Sequence, residues 1–187
     1  VGKAHPCFQK YLTADRDIPS EYQGEILAKS SWKPHVRSKR RHFRHELASM
    51  LAWLQAGQRA DTITQNLVAW LIVTHHGKIR LSLRAMPGES VPTDEEKHAQ
   101  SERLYARGVW DGDDLTPPTD RRIGLQGVPE IFPPLDLSLM RMGGSEDSPS
   151  WTSRGISLRD SPELGMFRLA WLEAVLRAAD ALGSRNQ

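Results

Sequence analysis

Residues 62–77 read TITQNLVAWLIVTHHG, an apolar run that ends in two adjacent histidines and a glycine. Thr62 and Gln65 have the spacing of a capping box, which predicts that a helix begins here. The apolar residues that follow surround a helix nearly completely, so we expect this helix in the core. Gly77 is expected to end it, which would place both histidines in the last turn, where the helix dipole favours a cation.

Apolar residues also recur at helical spacing on either side of this stretch. From His42 to Gln55 they lie three or four residues apart, and Gly57 is well placed to end that helix. The longest apolar run extends from Phe167 to Leu182 and is followed by Gly183. The pairs Ser148-Pro149 and Ser161-Pro162 are typical of helix starts. The sequence therefore predicts an all-α fold.

The character of the chain changes between about residues 78 and 150, which are rich in Pro, Gly and charge. Apolar and polar residues alternate over 79–84 and again over 135–139, a pattern typical of half-buried strands. We interpret this region as a long insertion that carries a small two-stranded β ribbon. With 187 residues the chain is expected to be one domain, 1–187.

Composition excludes several classes of protein. The single cysteine, Cys7, rules out an internal disulfide and a cysteine-based zinc site. No apolar run reaches the roughly 18–20 residues needed to span a bilayer, and the start lacks a signal-peptide pattern. We therefore expect a cytoplasmic protein without a membrane partner. The net charge of +2 does not by itself indicate a binding partner, but basic residues cluster in residues 33–44.

Histidine and carboxylate on separate apolar helices are what a metal site in a helical core requires. The candidates are His45, His75, His76 and Asp180. Adjacent helical residues project about 100° apart, so the histidine pair suits two neighbouring ions, or one ion and a substrate phosphate. Two metals about 3.5–4 Å apart would activate water and stabilise the leaving oxygen of a phosphodiester.

Each candidate also has an ordinary structural explanation. An isolated histidine is often a hydrogen-bonded structural residue, and His45 could be a surface residue of the basic run. Asp180 could pair with Arg177, three residues earlier on an exposed helix face. The basic run could be a solvated patch or, beside a phosphodiester site, a surface for the nucleic-acid backbone.

Taken together, these residues resemble the HD-superfamily nuclease domain of the CRISPR-associated helicase–nuclease of type I systems, closest to subtype I-U, now I-G. The resemblance runs nearly from end to end. It rests on the stretches 1–9 (VGKAHPCFQ), 27–30 (LAKS), 43–47 (FRHEL), 74–78 (THHGK), 106–113 (ARGVWDGD), 150–152 (SWT), 167–173 (FRLAWLE) and 177–180 (RAAD).

The resemblance implies an all-helical HD bundle and metal-dependent cleavage of single-stranded DNA, delivered by a helicase domain or subunit and a guide-RNA surveillance complex. It implies that His45, His75, His76 and Asp180 are ligands of two divalent transition-metal ions, Mn, Ni, Co or Fe, with Mg as an alternative. It also implies that Lys3 lies near the substrate phosphate as a catalytic residue. We expect the DNA backbone to bind Arg37, Lys39, Arg40, Arg41 and Arg44.

The family's His-Asp doublet and an earlier histidine would precede Val1, so we expect the N-terminal part of the domain upstream of this sequence. Two alternatives stay open. One is an HD phosphohydrolase that acts on nucleotides or cyclic dinucleotides. The other is a catalytically inactive HD module that binds DNA or a protein, which the missing doublet would favour for this chain.

Overall fold

A computed structural model describes Lys3, Phe8 and Arg40 together with residues 42–56, 62–94, 99–115, 133–144 and 148–183. Helices dominate this part of the chain, as the apolar spacing predicted. They are α1 (His45–Gln55), α2 (Thr62–Thr74), α3 (Trp151–Asp160) and α4 (Gly165–Gly183), and a 3-10 turn covers Ser138–Met140. The predicted all-α class with a small β ribbon is confirmed at this level.

Helices α1 and α2 form a hairpin around the centre of the core. Leu47, Met50 and Leu51 of α1 are fully buried, as are Ala69 and Val73 of α2. These residues recur three or four positions apart, so they lie on one side of each helix and the two sides pack together. The sequence predicted both helices and the place of α2 in the core.

The first helix begins later than its apolar spacing predicted. His42 has φ +66°, in the left-handed region that a helical residue does not occupy, and α1 begins at His45. The backbone N–H of Arg44 donates to the carbonyl of Arg107, 2.8 Å away, which ties the start of the helix to the insertion. The local pattern could not reveal this distant partner.

The second helix begins at Thr62, which is its first helical residue, and ends at Thr74. Gly77 has φ +66°, and its N–H donates to the carbonyl of Thr74 at 2.6 Å. Glycine enters this left-handed conformation without the steric cost that a Cβ brings, so the chain can turn sharply here. His75 and His76 therefore lie in the turn just beyond the last helical residue, close to the predicted position.

The β structure of the insertion lies away from the predicted strands. β1 (Thr93–Asp94) pairs with β2 (Ala99–Gln100), and β3 (Tyr105–Ala106) with β4 (Val109–Trp110), both antiparallel. The strands predicted over 79–84 and 135–139 are wrong. The alternation still indicates burial in part. Ile79, Leu83, Leu135 and Leu137 are buried, whereas Leu81 is exposed.

The segment after Gly77 forms no strand, and side chains of α3 bind two of its carbonyl groups. The indole N–H of Trp151 donates to the carbonyl of Arg80, and the hydroxyl of Thr152 donates to that of Leu81 at 2.8 Å. Both donors come from the first turn of α3. The insertion is thus fastened to the helical core at its beginning.

Helix α3 is capped by Ser150, whose hydroxyl accepts from the N–H of Ser153; the predicted start at Ser148-Pro149 lies two residues earlier. Helix α4 contributes Leu169 and Glu173 to the interior. Glu173 accepts from Arg80 of the insertion at 2.7 Å. Most other apolar side chains of α4 face outward, with Phe167 85% exposed.

Candidate metal centre

Three imidazoles meet where the start of α1 lies beside the end of α2. One ring nitrogen from each of His45, His75 and His76 lies within 4.8 Å of the corresponding atoms of the other two. His45 is the first residue of α1, and the other two occupy the turn after α2. The hairpin therefore unites residues that are 31 positions apart in the sequence.

The turn after α2 changes the geometry expected for the two adjacent histidines. The expected separation of about 100° holds only while both residues are helical. Because α2 ends at Thr74, His75 and His76 leave that arrangement, and their ring centroids lie 4.0 Å apart. Their rings are therefore close enough to contact one ion together.

The hydrogen bonds of the rings show which nitrogens are available to an ion. His75 Nδ1 lies 2.6 Å from the carbonyl oxygen of Ile72. A carbonyl can only accept, so His75 carries its proton on Nδ1 and presents the lone pair of Nε2. His45 Nε2 and His76 Nε2 face one another at 3.3 Å.

The spacing of these two nitrogens suits one shared ion. With metal–nitrogen bonds of about 2.0–2.1 Å, a separation of 3.3 Å corresponds to an angle of about 105–110° at the metal. That angle is close to tetrahedral. The chemistry of the donors agrees, since neutral imidazoles are ligands for Zn, Cu, Fe and Ni. The three residues therefore form a cluster that could hold a metal ion.

The electrostatics of the cluster favour the neutral rings of His45 and His76. Burial, and then the charges of His76 and Lys3, lower the pKa of His45 from 6.5 to about 3. Burial and His75 also lower the pKa of His76, while Glu46 and Asp180 act in the opposite direction. A neutral ring keeps the lone pair that a metal needs, so His45 is a competent ligand across the physiological range.

Lys3 and Asp180 lie near the three histidines but are not among the residues whose donor atoms come together. The charge of Lys3 reaches His45, and the ring of Phe8 lies 5.1 Å from that of His45. Asp180 is exposed on α4, and its charge raises the pKa of His76. Among the described residues, the set whose donor atoms lie within 4.8 Å of one another contains the three histidines and not Asp180.

The sequence left open that Asp180 pairs with Arg177, and the structure shows a different arrangement. Within the described residues it forms no ion pair with Arg177, and Glu173 pairs instead with Arg80. The guanidinium of Arg177 lies against Gly77, 3.4 Å from where a Cβ would stand. Since Asp180 follows Arg177 by three residues on α4, this contact places the carboxylate on the side of the helix near the histidine turn.

The basic residues expected to bind DNA have different environments. Arg40 pairs with both carboxylate oxygens of Asp113 at 2.7 Å, and its guanidinium lies 3.7 Å from the centre of the Trp110 ring. Its charge is thus already matched within the protein. Arg44 lies beside the cluster and is partly exposed. Arg37, Lys39 and Arg41 lie outside the described residues.

Glu46 is a residue of this site that the sequence analysis did not assign. It directly follows His45, is only 1% exposed, and its Oε2 lies 3.5 Å from His45 Nδ1. A signal was present, because Glu46 precedes Met50 by four positions and so lies on the buried side of α1. A carboxylate on an apolar helix face beside a histidine is a candidate partner for that histidine.

No family model, no curated protein and no solved structure matches this chain. Among the described helices, none combines the length and the apolar character that crossing a bilayer would demand.

Proposed function

We propose that this chain is a metal-dependent phosphodiesterase domain of the HD type, and that its substrate is single-stranded DNA. The observation that carries the proposal is the convergence of His45, His75 and His76, with nitrogens spaced for a shared ion. The resemblance in the sequence supplies the reaction class. The same resemblance supports a role in type I CRISPR interference beside a helicase and a guide-RNA complex.

In this proposal the three histidines hold a divalent transition metal through their available nitrogens. The metal would supply Lewis acidity and lower the pKa of a water molecule, which are the two requirements for attack on phosphorus. Asp180, on the neighbouring helix, would complete the ligand set or hold a second ion. Its negative charge already acts on His76.

The remaining residues of the site would handle the charge of the substrate. Lys3, whose charge reaches His45, would neutralise an oxygen of the scissile phosphate. Arg44, partly exposed beside the cluster, would contact the neighbouring phosphate of the strand. In the reaction, a new bond from water oxygen to phosphorus replaces the bond to the leaving sugar oxygen, which takes up a proton.

The experiment is cleavage of a single-stranded DNA circle by the protein with Mn²⁺ or Ni²⁺. We expect linear and shorter products, which require an endonuclease, and loss of cleavage in His75→Ala. His42→Asn is the matched control, because His42 is exposed and asparagine tolerates its left-handed backbone.

The same assay separates the alternatives. Release of phosphate from nucleotides or opening of cyclic dinucleotides, with the DNA circle left intact, would identify a small-molecule phosphohydrolase. A protein that binds DNA yet takes up no metal and cuts neither substrate would be a binding module, and the proposal would be wrong.

A further inference from the structure

Glu46 carries a buried carboxylate whose surroundings call for an explanation. It lies in the first turn of α1 and is 1% exposed. In the part of the chain that the structure describes, neither Oε1 nor Oε2 has a hydrogen-bond partner. Burying an ionised group is costly unless opposite charge or a ligand compensates it. The position of Glu46 beside the histidine cluster indicates what that compensation is.

The carboxylate lies on the Nδ1 side of the His45 ring. Glu46 Oε2 is 3.5 Å from Nδ1 of His45, and Nε2 of the same ring is 3.3 Å from His76. The two nitrogens of His45 therefore face different partners. A proton on Nδ1 would face this carboxylate and would leave the lone pair on Nε2, the side of the cluster.

His75 shows the same arrangement with a different acceptor. Its Nδ1 donates to the carbonyl of Ile72 at 2.6 Å, which also leaves Nε2 as the available nitrogen. Two of the three rings thus have an oxygen acceptor behind them. Ligating histidines in metal proteins almost always have such a partner, a backbone carbonyl or a carboxylate, on the nitrogen that does not bind the ion.

Positive charge around Glu46 offsets the cost of burying it. Arg44 Nε lies 3.9 Å from Oε1. Burial and the charges of Arg44 and Arg84 lower the pKa of the Arg107 guanidinium, and Glu46 lies close enough to act in the opposite direction. At 3.9 Å Arg44 does not form a hydrogen bond with the carboxylate. The acceptor capacity of Oε2 is therefore available to His45.

We propose that Glu46 is a positioning residue of the metal centre: it holds His45 in the tautomer that presents Nε2. The inference rests on the proposed metal-dependent function and adds the residue that orients its first ligand. An ion on Nε2 makes the Nδ1–H more acidic, which strengthens its interaction with the carboxylate.

A purely structural role is the alternative. A carboxylate in the first turn of a helix is stabilised by the helix dipole, whether or not the protein binds metal. That role predicts that removing the charge lowers the stability of the protein but leaves its metal affinity unchanged. The two roles therefore differ in a measurable way.

The experiment is titration with Co²⁺, followed by its visible absorption and by calorimetry, on the wild-type protein, Glu46→Gln and Glu173→Gln. We expect Glu46→Gln to weaken Co²⁺ binding by about 10- to 100-fold, the usual effect of losing such a partner. Glu173→Gln should bind as the wild type does, because its carboxylate, which is also buried, pairs with Arg80. Glu46→Asp should recover part of the loss.

The nitrogen resonances of His45 in the metal-free wild type give a second measurement that needs no variant, so the proposal can be checked even if Glu46→Gln fails to fold. We expect the proton on Nδ1. A proton on Nε2, or equal Co²⁺ affinity in the wild type and Glu46→Gln, would overturn the inference and leave the metal site standing. A wild-type protein that binds no Co²⁺ would overturn the proposed function as well.

Discussion

Replacing His76 with alanine should remove most of the stabilisation that Ni²⁺ gives to this protein. His76 and His45 present their Nε2 atoms to one another at 3.3 Å, the spacing of two ligands on one ion. Without His76, an ion bound to His45 keeps only one further imidazole, that of His75. The exposed ring of His76 supports little of the core, so the metal-free variant should fold.

The size of the effect follows from mass action. At a Ni²⁺ concentration 100 times Kd, binding stabilises the folded state by about 2.7 kcal/mol. For a chain of 187 residues, 1 kcal/mol corresponds to about 2–4 °C in Tm, so the wild type should gain about 5–11 °C. If the lost ligand weakens binding by about 100-fold, the same Ni²⁺ stabilises the variant by about 0.4 kcal/mol, or about 1–2 °C.

The assay is thermal unfolding with and without Ni²⁺, at a concentration set from the wild-type Kd. His42→Asn is again the control, since it removes an imidazole outside the cluster and should keep the full shift. A Ni²⁺-induced shift in His76→Ala that equals the wild-type shift would refute the reasoning, because the facing nitrogens would then not be ligands of a common ion.

Three further predictions concern packing, pH and charge. Gly108→Ala should destabilise the fold by about 2–4 kcal/mol in chemical denaturation, because Gly108 has φ +75° and a Cβ would overlap the backbone of Phe43. Because burial and neighbouring charges lower the pKa of His45 to about 3, that ring stays neutral as the pH falls from 7 to 5. Calorimetric Ni²⁺ affinity should therefore fall over that range with a slope of at most about two protons per ion. Asp180→Asn should lower the pKa of His76 further, since the carboxylate raises it, and an NMR titration of the ring measures the change.

Each of these predictions has its own check. Gly88→Ala is the control for Gly108→Ala, because Gly88 has a similar φ of +72° but open space around its Cβ position. An equal loss in both variants would show that backbone conformation, and not the contact with Phe43, sets the cost. A slope of three protons per ion would contradict the low pKa of His45. An unchanged His76 titration would mean that Asp180 lies too far away to act.

The helices around the site could be predicted because the residues that specify them lie within or next to each helix. The apolar spacing of α1 and α2 specifies which sides pack, and Gly77 marks the turn that carries the histidines. The meeting of His45 with the histidine pair then follows from a short helical hairpin. That part of the candidate site could be predicted from the sequence.

The features that the sequence did not predict depend on distant partners. Ile79 and Leu83 are buried as alternation indicates, but no strand forms, and side chains of α3 bind two carbonyl groups between them. Arg40 belonged to a basic run, yet Asp113, 73 positions away, binds it. Periodicity indicates which side of an element is buried, but it does not identify the residues that pack against that side.

The short separation between His45 and His76 also bears on how the protein is made. During translation the α1–α2 hairpin leaves the ribosome well before α4 exists, and at about 5–20 residues per second Asp180 follows His76 by about 5–20 s. Contacts this local form quickly, because little loop entropy opposes them. The nascent chain can thus assemble its three imidazoles, and expose them to the metals of its surroundings, before the helix that carries Asp180 has been synthesised.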